Sequence, residues 1–222
     1  YLIAHFLRGG SLLDSAKYNL ILLLVIVISL TIHEFSHAWV ANAFGDPTAK
    51  NLGRISLNPL RHIDWIGLLL FFLGGYGWAK PVPVRMNNLR EPDRGMVIIS
   101  LAGPLSNIFL AFMGGFLLKV EVLYLKDFLI VHPGLGDVMM MFTRMFIGLN
   151  IGLAFFNMFP VPPLDGSKVL MFSFPDHSRG FMEALESKGE LILMLLIGTG
   201  LIDKILLPLV TWTMKFLLFL FV

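Results

Sequence analysis

His33, Glu34 and His37 stand together in the stretch HEFSH, within an otherwise apolar run. Residues four apart share a helix face, so both imidazoles can grip one metal ion. The glutamate between them then lies beside the water that such an ion binds and can take its proton. Six His and six Glu in 222 residues give only about 0.004 chance matches to this spacing. The plainer alternative is two core histidines and a glutamate paired elsewhere. It leaves a carboxylate inside an apolar helix, at a cost of several kcal/mol unless compensated.

Two histidines do not complete a catalytic zinc site, which has three protein ligands and an open fourth position. The chain has no cysteine, so the third ligand is His, Asp or Glu. His5, His62, His132 and His177 lie in polar or terminal segments and read as ordinary surface or interface residues. Asp165 follows Pro160, Pro162 and Pro163 in the stretch NMFPVPPLDG. Prolines cannot continue a helix, and broken backbone at membrane depth survives only when buried in protein or lining a wet cavity. An aspartate on such a break is a candidate ligand; its other reading is a cap for a helix restarting at Gly166.

The elements that must position these groups are membrane helices. Hydrophobic residues make up 56% and charged residues 14% of the chain, against roughly 45–50% and 25% in soluble domains. A net charge of +2 without a basic-aromatic run argues against a nucleic-acid partner. A hydrocarbon core about 30 Å thick takes some 20 apolar residues to cross as a helix. Tyr18–Gly45, Met96–Leu118 and Val138–Phe159 meet that length, with Glu34 and Arg144 as their charged residues. Ile66–Ala79 is uncharged but only 14 residues long and carries four glycines, so it reads as a re-entrant hairpin. Leu191–Val222 is interrupted by Asp203, Lys204, Pro208 and Lys215, and fits one surface segment plus one span, or two short spans. The expectation is an all-α integral membrane protein: a polytopic helical bundle with a re-entrant hairpin and short edge strands near residues 55–85, forming a single domain over 1–222. Residues 1–18 show no cleavable signal pattern, and a start at Tyr1 rather than Met implies something upstream.

If 66–79 turns back, residues 45–95 and 160–188 share one side of the membrane and carry ten Lys and Arg, against four opposite. That excess marks the cytoplasmic side. The same assumption brings the exits of the first and third spans to one face, where the histidines and Asp165 can meet. A complete crossing would separate them beyond the reach of a single ion.

These residues resemble the site-2 protease family of intramembrane zinc metalloproteases. The resemblance runs through HEFSHA, GDPTAKNLGRISLNP, GWAKPVPV, SLAGPLSN and FNMFPVPPLDG, nearly the whole chain. It implies one Zn2+ per chain held by His33, His37 and Asp165, with Glu34 as the catalytic glutamate. Asn157 would lie beside the site, positioning substrate or stabilising the oxyanion. It also implies transmembrane protein or peptide substrates in a lipid bilayer, cleaved for regulated proteolysis or for clearance of signal-peptide remnants. The protein would then be a multi-pass protein of the cell membrane with its active site toward the cytoplasm. Lys119–Asp137 leaves no room for the PDZ domain of larger relatives, and no nucleotide-sensing domain follows Val222, so a minimal member is expected. Trp78–Val84, with Pro81 and Pro83 in alternate positions, could offer an extended edge for an unwound substrate. Asn107 and Asn150 read as helix-packing amides. Two other readings are an inactive homologue serving as a membrane scaffold, and a transporter using midplane ionisable groups.

Overall fold

A computed structural model describes residues 12–74, 77–174 and 185–221. In chain order its helices are α1 (Leu12–Ala43), α2 (Thr48–Asn51), α3 (Trp65–Gly74), α4 (Pro92–Leu123), α5 (Lys126–Val131), α6 (Pro133–Asn157), α7 (Asp165–Ser173), α8 (Gly189–Gly198) and α9 (Leu201–Phe221). Short 3-10 turns stand at Pro59–Arg61 and Met86–Asn88. Among the described residues four helices are long and apolar enough to cross a membrane: Leu13–Ala43 of α1, and α4, α6 and α9. The first three are the spans expected from sequence. Two of them begin earlier than hydropathy alone suggests, because Pro92 and Pro133 sit in the first helical turn, where a missing N–H costs nothing. At the C-terminal end one span forms, α9, which runs through Pro208. Helix α8 has 10 residues, about 15 Å at helical rise, too short to cross.

The hairpin is real and its cause is local. Helix α3 also has 10 residues, and the chain then returns extended from Gly77. Lys80 N–H donates to His62 O at 2.9 Å, so the segment leaves at the level where it entered. Gly67 and Gly77 allow this closure: a Cβ on Gly67 would collide with the Trp78 backbone, and one on Gly77 with the Gly67 carbonyl. The expected short edge strands near residues 55–85 do not form among the described residues; 77–85 is extended but carries no ladder. Pro81 and Pro83 leave the edge they face without N–H donors.

Helix α4 is the hub, packing on α1, α6, α7 and α9. Ile21 and Val25 of α1, Leu110 of α4 and Phe146 of α6 form one apolar knot. Ala111 and Leu118 of α4, Ile147 and Ile151 of α6 and Leu217 of α9 form another. Large side chains such as Leu20, Phe109, Phe116, Trp212 and Phe219 point outward, as on a surface that meets lipid.

Beyond α1 the chain turns at Gly45, with φ of 107°, and buries Asp46 completely. The Asp46 carboxylate accepts from Thr48 N (3.0 Å), Thr48 Oγ1 (2.5 Å), Arg85 N (2.7 Å) and Asn88 Nδ2 (2.8 Å). It ties the exit of α1 to the segment that leads into α4. Burial works against its charge, but the Arg85 amide, Asn88 and Thr48 outweigh it and hold the carboxyl below the usual aspartate range. Asp46→Ala strands these donors and is expected to lower stability by about 1–3 kcal/mol, read as thermal unfolding in detergent. Folding lowers this pKa below an unfolded value of about 3.9, so the stabilisation is complete above that pH and disappears as pH falls through the folded-state value. Wild type and variant should therefore converge in acid; a gap that persists unchanged below pH 3 would contradict the assignment.

Candidate metal centre

Helix α1 presents His33, Glu34 and His37 to its neighbours, all three buried. The two imidazoles meet edge to face, with ring centroids 4.7 Å apart. Asp165 arrives from α7. The proline run ends α6 at Asn157 and lets the chain fold back, so that α7 starts at Asp165 itself. The capping position falls to Leu164, whose side chain caps nothing. Asp165 is thus left to face the histidines. His33 Nε2 lies 3.3 Å and His37 Nε2 3.2 Å from Asp165 Oδ2, while the two Nε2 atoms are 3.0 Å apart. Donors about 2.0–2.1 Å from a tetrahedral ion stand roughly 3.3 Å from one another. The triangle has the right size for zinc.

The hydrogen bonds behind the triangle decide which atoms face it. Asn150 Nδ2 donates to the Phe146 carbonyl at 2.8 Å, a group that can only accept. Asn150 Oδ1 therefore faces Asn107 and accepts from Asn107 Nδ2 at 2.8 Å. That turns Asn107 Oδ1 toward His33 Nδ1, 2.6 Å away, which must carry the proton. His37 Nδ1 likewise donates to Ile99 O at 2.7 Å. Both Nε2 lone pairs then point at each other and at a carboxylate. Such a group requires positive charge at its centre, from a proton or a metal ion. Lys168 Nζ adds a distant counter-charge, 4.0 Å from Asp165 Oδ1.

Helix α4 can approach this closely because residue 103 is glycine. A Cβ there would collide with both imidazoles. Asn107, expected as a packing amide, orients His33, and Gly103 gives α4 its close approach to the histidines. The cue available in sequence was their position on one helix, four residues apart.

The other expected residues are distributed as follows. Asn157 ends α6 and donates Nδ2 to Leu153 O of its own helix at 3.0 Å. His62 is buried in the loop before α3, with Nε2 2.7 Å from Ser56 O, and His132 occupies the position before α6 without a side-chain capping bond. Neither joins the three-residue cluster; His5 and His177 lie outside the described residues. Glu34 Oε2 accepts from Val82 N–H at 3.1 Å, so the extended segment touches the glutamate. Yet Lys80 N–H, the Lys80 and Pro81 carbonyls and Val82 N–H all bond within the protein. This leaves the centre of the Trp78–Val84 stretch with little to offer a pairing strand. An apolar cavity of about 290 Å³ lies between α1, the hairpin, α6 and α9, lined by Leu30, Phe71, Trp78, Gly152 and Phe156 among others.

A family model described as peptidase family M50 matches residues 21–126, which include His33, Glu34 and His37 but stop before Asp165. The Bacillus subtilis (strain 168) protein named "Putative zinc metalloprotease YwhC" is 39% identical over 188 residues, 84% of each chain. A Mycolicibacterium smegmatis protein of the same printed description, Rip2, is 27% identical over 86% of this chain and 71% of its own length. Stage IV sporulation protein FB of Bacillus subtilis (strain 168) is 27% identical over 92% of this chain and 57% of its own length. No solved structure matches.

If Asn107 orients His33, Asn107→Leu should weaken metal retention by about 10–100-fold, the usual effect of losing such an outer partner. Competition with a chelator on detergent-purified protein measures it. Retention equal to wild type would show that the Asn150–Asn107 chain does not set the ligand geometry.

Proposed function

The chain belongs to peptidase family M50, the site-2 protease family of zinc metalloproteases, and on that premise we propose that it is an intramembrane endopeptidase cutting transmembrane segments of other membrane proteins. The observation that carries the reading is the meeting of His33, His37 and Asp165, with Glu34 on the same helix, inside a bundle of apolar spans. In this reading the two Nε2 atoms and an Asp165 carboxylate oxygen hold one zinc ion. Bound there, zinc supplies Lewis acidity, which brings the pKa of a coordinated water to about 7 and polarises a carbonyl.

The chain's own residues manage protons and geometry. Glu34 takes a proton from the attacking water as the new C–O bond forms, then passes it to the amide nitrogen as the C–N bond breaks. A carboxylic acid and an amine result, and the glutamate returns to its starting state. Asn107 and the Ile99 carbonyl keep the imidazoles in the tautomer that leaves Nε2 free. Asn157 is assigned to the substrate carbonyl or the developing oxyanion; its amide has to leave Leu153 O to do so. The apolar cavity beside Leu30 offers room to an apolar side chain arriving from the bilayer. The excess of Lys and Arg on 45–95 and 160–188 supports a cell-membrane protein whose site faces the cytoplasm.

The test is cleavage of single-span reporter proteins in proteoliposomes, with products mapped by mass spectrometry. Wild type should cut within the span. Glu34→Gln should keep its zinc and lose about 10²–10⁴-fold in turnover, the range for removing a general acid–base. Wild-type turnover by Glu34→Gln would contradict the role.

A further inference from the structure

Arg54 lies in the loop after α2 and is buried, with 5% of its surface exposed. A buried guanidinium needs partners, and this one finds main-chain oxygens. Its Nη1 donates to Pro81 O at 3.1 Å and its Nη2 to Lys80 O at 2.5 Å. Nη2 also stands 4.0 Å from Glu34 Oε2. The same glutamate oxygen accepts from Val82 N–H.

Pro81 C=O and Val82 N–H are the two ends of one peptide group, which is planar and trans, so its oxygen and its hydrogen point in opposite directions. Arg54 therefore grips one end of a rigid plate whose other end grips Glu34. Pro81 and Pro83 lack an N–H, so the edge they face has no donors for a strand ladder, and Val82 supplies the one amide hydrogen between them. Two adjacent carbonyls suit the planar fork of arginine, and a lysine cannot reproduce that geometry. Bonding at the carbonyl also polarises the amide and strengthens its donation to the glutamate.

We propose that Arg54 is a positioning residue for Glu34, acting through the Pro81–Val82 peptide. The proposal rests on the protease reading, in which Glu34 carries the proton. Losing the grip would let the plate rotate and the carboxylate wander, which slows the chemical step more than substrate binding.

Two measurements test it. The first does not depend on activity. The chain has no cysteine, so Val82→Cys gives a single thiol that keeps the backbone N–H. Adding Arg54→Ala should raise its alkylation rate by a maleimide in detergent about tenfold, the scale of losing one or two charge-assisted hydrogen bonds. An unchanged rate would overturn the clamp. The second is turnover of a reporter already cut by wild type. Arg54→Ala should keep full zinc and a near-normal KM while kcat falls about 10²-fold, the scale of a small misplacement. Arg54→Lys should recover part of the loss. Val82→Pro, which removes the amide hydrogen, should lower kcat similarly, and the double variant should be no worse than either single. Additive losses, lost zinc or an unchanged kcat would each overturn the role. If wild type cuts no reporter although loaded with zinc, the protease reading falls, while the alkylation rates still decide whether Arg54 holds the segment.

Discussion

Three lone pairs that face one another inside an apolar bundle, on His33 Nε2, His37 Nε2 and Asp165 Oδ2, set the terms for everything around them. Left alone they repel, and burial removes most of the screening that bulk water would give. A cation at their centre reverses the sign of the interaction. The surrounding fold then has to keep the lone pairs aimed, and the chain Phe146–Asn150–Asn107–His33 does so by a sequence of forced hydrogen-bond choices. Each amide is turned by the one behind it, and the last turn is fixed by a backbone carbonyl that cannot donate.

Membrane packing makes this economical. Between spans apolar contact supplies little drive, so close approach and polar ties hold helices together. Ser29, Asn107 and Asn150 bind α1, α4 and α6 to one another with groups that also orient a histidine. Glycine at 103 lets α4 lie against both imidazoles. The prolines after α6 end one helix and let the next begin on the aspartate. Arg54 and Asp46, both buried outside the spans, hold the two ends of residues 80–85 by its backbone: one on carbonyls, the other on an amide.

Much of this was legible in the sequence, for reasons that can be named. HEFSH is readable because helical period alone puts both imidazoles on one face. The hairpin follows from a length too short for the bilayer, and the break before Asp165 from prolines. What was not legible depends on contacts between distant segments. Asn107 could have been any packing amide until the rotation of α4 against α1 placed it on His33. Arg54 binds main-chain carbonyls 26 and 27 residues away, and carbonyls leave no mark in a sequence. No edge strand forms along residues 77–85 because Pro81 and Pro83 have no N–H on one edge, while Lys80 and Val82 on the other give theirs to His62 and Glu34. At the C-terminus, two arrangements stayed open because a membrane helix can carry a proline such as Pro208 without ending.

If His33, His37 and Asp165 together hold a metal ion, the most direct measurement is zinc per chain in detergent-purified protein, wild type beside Asp165→Ala. One zinc in wild type and a sharp fall in the variant is the predicted result. No zinc in wild type after zinc is supplied, or full zinc without Asp165, would contradict it.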